Sequence, residues 1–366
     1  MECLKITMCI IAMIIFGSIQ LIMMLLSLEY FESVFFVLLI SNVQLCIIFG
    51  IAYIIAHSIQ SNETGIKRIV PPFIGNGVVI GLSGVFYTLM CVLKMYSSHP
   101  ERTPPVFQCV IAGLALFPNI LFTRIILQKN VTYKLPFALS STVLLLCSIG
   151  VSVIPLVEDS VSSSIVLWIF MYFFGVIARS MYCIMQEKFF MLQADGATIT
   201  QKLGIMFYTN FVATILSLPF YGLEYIIGYG EQTPHIEFVK SGQLLFTSKM
   251  GLFLEFFILA YVVFYGLSAY LNSFSSNYNM VSTIAISPIV AIFFTIFTNL
   301  NPGIAYPWYI VIPTLVCSVG AIVLWIFAEQ RTTTGTLIRN SLNRDLTMAD
   351  GFSDSTECEE TLLINH

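Results

Sequence analysis

The stretch Ile6–Leu28, ITMCIIAMIIFGSIQLIMMLLSL, runs for 23 residues without a charge. A helix rises about 1.5 Å per residue and a bilayer's hydrocarbon core is about 30 Å thick, so a run of this length crosses it. A secretory h-region is shorter, about 7–15 residues. No small-residue cleavage site precedes Glu29, so the run reads as a first membrane span rather than a signal peptide. Nine more apolar stretches follow: Val34–Ala56, Val70–Lys94, Val106–Leu127, Pro136–Leu156, Ile165–Met185, Leu203–Leu223, Lys249–Tyr270, Met280–Asn299 and Trp308–Ala328. They are continuously apolar rather than alternating, which excludes barrel strands and predicts an all-α membrane protein of ten transmembrane helices.

Composition agrees. Hydrophobic residues make up 57% and charged residues 10%, where soluble domains carry about 25% charge. Mean hydropathy is +0.89. Too few polar residues remain to cover a water-facing surface, which argues against a secreted enzyme or a disordered chain. A net charge of -4 without a basic block gives no purchase for nucleic acid. Orientation follows from Lys and Arg. With cytosolic termini, ten fall inside (Lys5, Lys67, Arg68, Lys129, Lys134, Lys188, Lys202, Arg331, Arg339, Arg344) and four outside (Lys94, Arg102, Lys240, Lys249). The sequons at Asn62 and Asn130 then face the cytosol and are predicted to carry no glycan. Of nine cysteines, Cys9, Cys46, Cys91, Cys109, Cys147, Cys183 and Cys317 fall within spans. There is no disulfide framework and no zinc spacing, and no cofactor or metal is implied.

Ten spans divide into two sets of five at the polar loop Val157–Ser164, giving repeats over 1–157 and 158–328 and a tail over 329–366. An odd number of spans inverts the second set, an arrangement used by transporters with a midplane site. Pro118 and Pro288 sit near the middle of the fourth span of each set, where each frees a backbone carbonyl and predicts a helix bend. Ordinary tolerance of proline in membrane helices is the rival reading. Gly75, Gly77, Gly81 and Gly84 in the third span predict close helix packing. The loop Glu224–Ser248 is long enough for a short amphipathic helix.

Polar side chains at membrane depth face a cavity or another helix. Arg124 and Arg179 lie near predicted cytosolic span ends and Lys94 near a lumenal one, so all three are expected to snorkel to headgroups. Glu255, one turn inside the eighth span among phenylalanines, reads either as a proton-coupling site or as a lumenal-end carboxylate paired with Lys249 or water. The candidate substrate cavity is drawn from Asn42, Gln44, Gln108, Asn119, Tyr208, Asn210, Tyr261, Tyr265, Ser282, Thr283 and Ser287. Helical spacing puts Tyr261, Tyr265 and Ser268 on one stripe. Each alone reads equally as interhelical glue. His57, His99, His235 and His366 form no metal pattern, and HExxH, GxSxG and P-loop motifs are lacking, so no enzyme is predicted. The tail lacks helix periodicity and reads as disordered. Glu359 followed by Leu363 and Ile364 matches an acidic dileucine sorting signal for a clathrin adaptor, with chance occurrence as the rival.

Two stretches carry a family resemblance. Thr103–Gln108 (TPPVFQ) runs into Phe117-Pro118-Asn119, and Phe274–Thr283 (FSSNYNMVST) runs into Ser287–Ile292 (SPIVAI). With Leu216-Ser217-Leu218-Pro219, they resemble the drug/metabolite transporter superfamily, and within it the chloroquine-resistance-transporter-like family. The resemblance implies a small-solute carrier working by alternating access. Together with the tail it implies proton-coupled export of amino acids, peptides or thiol peptides from a lysosome, vacuole or other endomembrane compartment. Two features depart from the pattern. Glu224–Ser248 lacks the cysteines that family carries there. No lysine lies between Asn272 and Asn299, where sugar-phosphate and nucleotide-sugar carriers have one, which weakens an anionic-substrate reading. A Golgi or reticulum nucleotide-sugar antiporter and a non-transporting receptor or scaffold are the alternatives. A small-molecule substrate, the lipid bilayer and a homodimer are the expected partners.

Overall fold

A computed structural model of the chain describes residues 2–31, 33–64, 77–99, 102–103, 105–128, 135–136, 138–143, 146, 163–193, 198–227, 234–247, 249, 251–297, 320 and 323. Among these the elements are α1 (Glu2–Tyr30), α2 (Val34–Thr64), α3 (Gly77–Ser97), α4 (Pro105–Leu114), α5 (Leu116–Ile126), α6 (Ser163–Met191) and α7 (Ile199–Ser217). A 3-10 turn (Leu218–Phe220) leads into α8 (Tyr221–Ile227), α9 (Pro234–Thr247), α10 (Gly251–Asn272) and α11 (Ser276–Ile296). No strand occurs among the described residues. Seven helices are long and apolar enough to cross a membrane, and the protein is an integral, multi-pass, all-α membrane protein. The expected fifth and tenth spans, Pro136–Leu156 and Trp308–Ala328, lie largely outside the described residues, as do the 157–162 linker, Asn130 and the tail with Glu359, Leu363 and Ile364.

The molecule is apolar outside and polar within. Ile11, Ile15, Ile51, Ile54, Ile55, Leu252, Phe256 and Leu259 are exposed, while Ser83, Asn119, Gln186, Glu187, Asn210, Asn272 and Asn279 are fully or almost fully buried. That inversion suits a lipid solvent, where polar groups must find partners inside the bundle. The most extensive pairings are α3 with α6, α1 with α10 and α2 with α7. α3 also packs along α7, α1 along α11, and α11 against α4 and α5.

Local chemistry sets the helix ends. Thr198 and Gln201 form a reciprocal capping box that starts α7. Ser275 caps α11 by accepting from Asn277 N–H at 3.3 Å. The predicted fourth span is divided at Ala115, three residues before Pro118, which has no N–H for the Leu114 carbonyl. At Pro288, by contrast, α11 runs through as one helix. The loop expected to hold an amphipathic helix contains α9.

The glycines of α3 divide. A Cβ on Gly84 would lie 2.5 Å from Val212 Cγ1 of α7, so this residue sets the helix separation. Gly77 and Gly81 meet nothing within 4 Å among the described residues, and Gly75 lies outside them. Gly84→Val should destabilise the protein by about 1–3 kcal/mol through overpacking. Gly81→Ala should be neutral or mildly stabilising through helix propensity. Thermal melts of the two variants in detergent check the contrast.

Candidate functional site

Between α1, α3, α4, α6, α10 and α11 lies a cavity of about 680 Å³, counting the space open at its mouth. Its apolar wall is Leu21, Met24, Met90, Met95, Ala112, Phe257, Phe264 and Ile286. Its polar groups are Gln20, Cys91, Lys94, Tyr172, Arg179, Tyr261, Thr283 and Ser287. The lining comes from the C-terminal halves of α1 and α3, Ala112 of α4, Tyr172 and Arg179 of α6, Phe257 to Phe264 of α10, and the middle of α11. The site therefore reaches from mid-bundle toward one end only.

Two cations dominate it. Lys94 Nζ lies 5.2 Å from the centre of the Tyr172 ring. Gly175 on α6 admits this approach, since a Cβ there would come within 2.7 Å of Lys94 Cγ. Arg179 is only 8% exposed. Its Nη2 donates to Thr283 Oγ1 at 2.7 Å and to Asn279 Oδ1 at 3.3 Å, and its Cζ sits 5.2 Å from the Phe264 ring centre. Its Nε–H is buried without a partner. These placements correct the snorkelling expected of both residues. α6 continues to Met191, well past the predicted span end at Met185, so Arg179 sits deep in the bundle. Gln186 and Glu187, just past the predicted span end at Met185, are buried. Arg124 is exposed near the end of α5, where the snorkelling reading leaves it.

Beneath the cavity, four tyrosines close the bundle. Tyr87 and Tyr261 hydroxyls lie 2.8 Å apart, and Tyr182 stacks on Tyr265 at 6.1 Å and 8°. Phe49 of α2 packs on Tyr265 at 5.3 Å. Further down, a polar network seals α6, α10 and α11. Asn279 Nδ2 donates to Asn272 Oδ1 at 3.0 Å and to Ser268 Oγ, and Asn272 Nδ2 donates to Gln186 Oε1 at 2.7 Å. Gln186 Nε2 donates to Tyr182 Oη. Glu187 Oε2 accepts from Ser276 N–H at 2.8 Å, placing a carboxylate on an otherwise orphaned donor at the N-terminus of α11. Asn119 of α5 joins through Asn277 Oδ1 at 2.7 Å.

Of the sequence-predicted residues, Tyr261, Thr283 and Ser287 line the cavity. Tyr265 belongs to its floor and Asn119 to the seal below. Gln108 ties the α3–α4 connection through the Ser98 and Thr103 carbonyls. Asn210 and Ser282 bond to carbonyls of their own helices, Met206 and Tyr278. Asn42 is buried, and Tyr208 packs on Tyr53. Glu255 has an exposed side chain one turn into α10 and accepts from Gln44 Nε2 at 3.0 Å; neither residue lines the cavity. Gln20, Cys91, Lys94, Tyr172 and Arg179 were not among the predicted residues. The usable signal for Arg179 was its spacing of four from Gly175 and Cys183, which puts it on α6's inward stripe.

No family model and no curated protein matches the chain. Among solved structures 22 chains match. One, described only as "Crystal structure of protein", aligns with a TM-score of 0.58 at 13% identity over 89% of this chain and 98% of its own. That likeness is one of fold.

Proposed function

We propose that this protein is a transporter of the drug/metabolite type, moving a small organic solute by alternating access between two inverted five-span halves, 1–157 and 158–328. The observation that carries the reading is the exchange symmetry of the helix contacts. Swapping α1 with α6, α2 with α7, α3 with α10 and α4–α5 with α11 turns the α1–α10 pairing into α3–α6, and α1–α11 into α6 with α4–α5. It maps α2–α7 and α4–α11 onto themselves. Two halves of one fold packed in antiparallel registers give this pattern.

One pair breaks the symmetry, as alternating access requires. α3 packs closely on α7 through Ile80 and Ile205, Ser83 and Thr209, and Gly84 and Val212, whereas the equivalent pair, α10 with α2, touches sparsely. One end is thus sealed while the cavity opens toward the other. With cytosolic termini, the open end faces the lumen or exterior. A lumen-facing cavity suits export from an endomembrane compartment, with the dileucine-like tail as its sorting signal.

Counterflow in proteoliposomes tests the reading: preloaded unlabelled solute should accelerate entry of labelled solute, and Gly84→Val should slow it by holding α3 away from α7. Lack of saturable counterflow across anionic, neutral and cationic metabolite pools would remove the carrier role. Proton coupling is tested separately with an imposed acid gradient. A gradient-stimulated rate unchanged in Glu255→Gln takes that carboxylate out of the mechanism.

A further inference from the structure

We infer that the cavity's solute is a small organic anion, a carboxylate or phosphate ester with an apolar or aromatic body, held between Lys94 and Arg179. The inference rests on the carrier reading for its word solute and on geometry for its charge. Both cations line the same cavity, and among the described residues no carboxylate does. Among the described residues neither is paired with an acid. Lys94 contacts the Tyr172 ring, and Arg179 contacts neutral Asn279 and Thr283 together with the Phe264 ring.

A buried guanidinium without a counter-charge is costly in a low-dielectric interior, and a second cation beside it adds to the cost. Folds keep such an arrangement where something else supplies the negative charge. Arg179 has donors left for it. Both Nη2 hydrogens are committed, whereas Nε–H is buried and unpartnered. The unpartnered Nε–H offers one charge-assisted donor to a carboxylate or phosphate oxygen, while Lys94 adds a movable point charge. An apolar-walled cleft of single sign also concentrates the field and draws anions toward it. Tyr172, Phe257, Tyr261 and Phe264 provide ring surface for the solute's body. The missing lysine between Asn272 and Asn299 therefore does not argue against an anion: the positive charge enters from α3 and α6 instead of α11.

The competing view treats both cations as structural, satisfied by rings and amides; it predicts no preference for charge. A matched probe set separates the two: phenylacetate, phenyl phosphate, phenylacetamide and phenethylamine, each titrated against thermal unfolding of the full chain in detergent. Phenylacetate, phenyl phosphate or both should raise the melting temperature saturably, and their relative half-saturation distinguishes carboxylate from phosphate. The amide and the amine should not. Lys94→Gln should raise the half-saturating concentration of the anion by roughly tenfold or more, as expected for loss of one charged contact. Lys94→Arg should recover part of it. Arg179→Gln should act similarly, but because Arg179 also braces α11, Lys94→Gln is the decisive variant. Equal stabilisation by amide or amine, no anion shift at millimolar concentration, or an anion shift unchanged in Lys94→Gln overturns the inference. Anion binding with no counterflow sinks the carrier reading and leaves the anion site standing. Saturable counterflow of the amine does the reverse.

Discussion

Asn279→Leu should abolish solute counterflow and lower the melting temperature more than any other single polar substitution beneath the cavity. Asn279 is fully buried. Its amide joins Arg179 in the cavity to Ser268 and Asn272 of α10 below it, and Asn272 passes the chain to Gln186 and Tyr182 of α6. Leucine fills a similar volume but leaves the Asn272 carbonyl oxygen, the Ser268 hydroxyl and one Arg179 N–H short of a partner. Each buried polar group so stranded costs about 1–3 kcal/mol, with the sum tempered because the groups share one network. Asn279→Asp gives the sharper contrast. It supplies Arg179 with a carboxylate, so an anionic solute would have to displace an internal ion pair. Aspartate keeps the acceptor for Arg179 but has no N–H for Asn272 Oδ1, so the fold should hold with a melting temperature between the parent's and that of Asn279→Leu, while counterflow and anion-induced stabilisation are both lost. If Asn279→Leu melts like the parent, the network is not what seals this end of the bundle.

The contrast between those variants also marks what could be read from the amino-acid string. Span positions were legible because a lipid solvent forces long uncharged runs, and α1, α2, α6, α10 and α11 begin within a few residues of the predicted starts. Tyr261, Thr283 and Ser287 were legible as part of a polar group on helices otherwise apolar. Periodicity, however, gives the angle between residues on one helix and not which way the helix faces. Gln44 and Glu255 therefore landed outside the cavity, paired with each other, although each carries the polarity of a site residue. Asn210 and Ser282 spend their hydrogen bonds on their own backbone, an outcome that only the packed structure distinguishes from an exposed ligand contact. Lys94 and Arg179 were hidden for a different reason. Proximity to a span end licenses snorkelling only if that end faces headgroups, and α6 carries its charged Glu187 into the interior because the N-terminus of α11 waits there to be capped.

At the open end, a buried carboxylate does comparable work, and its removal has the second large expected effect. Glu224 of α8 is fully buried and accepts from Phe35 N–H at 2.6 Å and from the Ser33 hydroxyl at 2.9 Å. These groups belong to the turn between α1 and α2, whose Ser33 N–H is also held by Ser241 Oγ of α9 at 3.3 Å. The segment between α7 and α10 thus clamps the start of α2, where orphaned N–H groups and the helix dipole both favour a negative partner. Glu224→Leu should strand Phe35 N–H and the Ser33 hydroxyl together, a loss of about 2–4 kcal/mol from two buried donors. Glu224→Gln keeps one carbonyl oxygen for Phe35 N–H, and its amide can donate to a rotated Ser33 hydroxyl, so about 1 kcal/mol should go. Ser33→Ala removes the hydroxyl donor to Glu224 and also strands the Phe36 N–H that the Ser33 Oγ accepts at 3.1 Å, so it should fall below the Gln variant. The expected order of melting temperatures is parent, then the Gln variant, with the Ala and Leu variants both below it. A Leu variant no less stable than Gln would mean that apolar filling, and not the carboxylate, holds this end of α2.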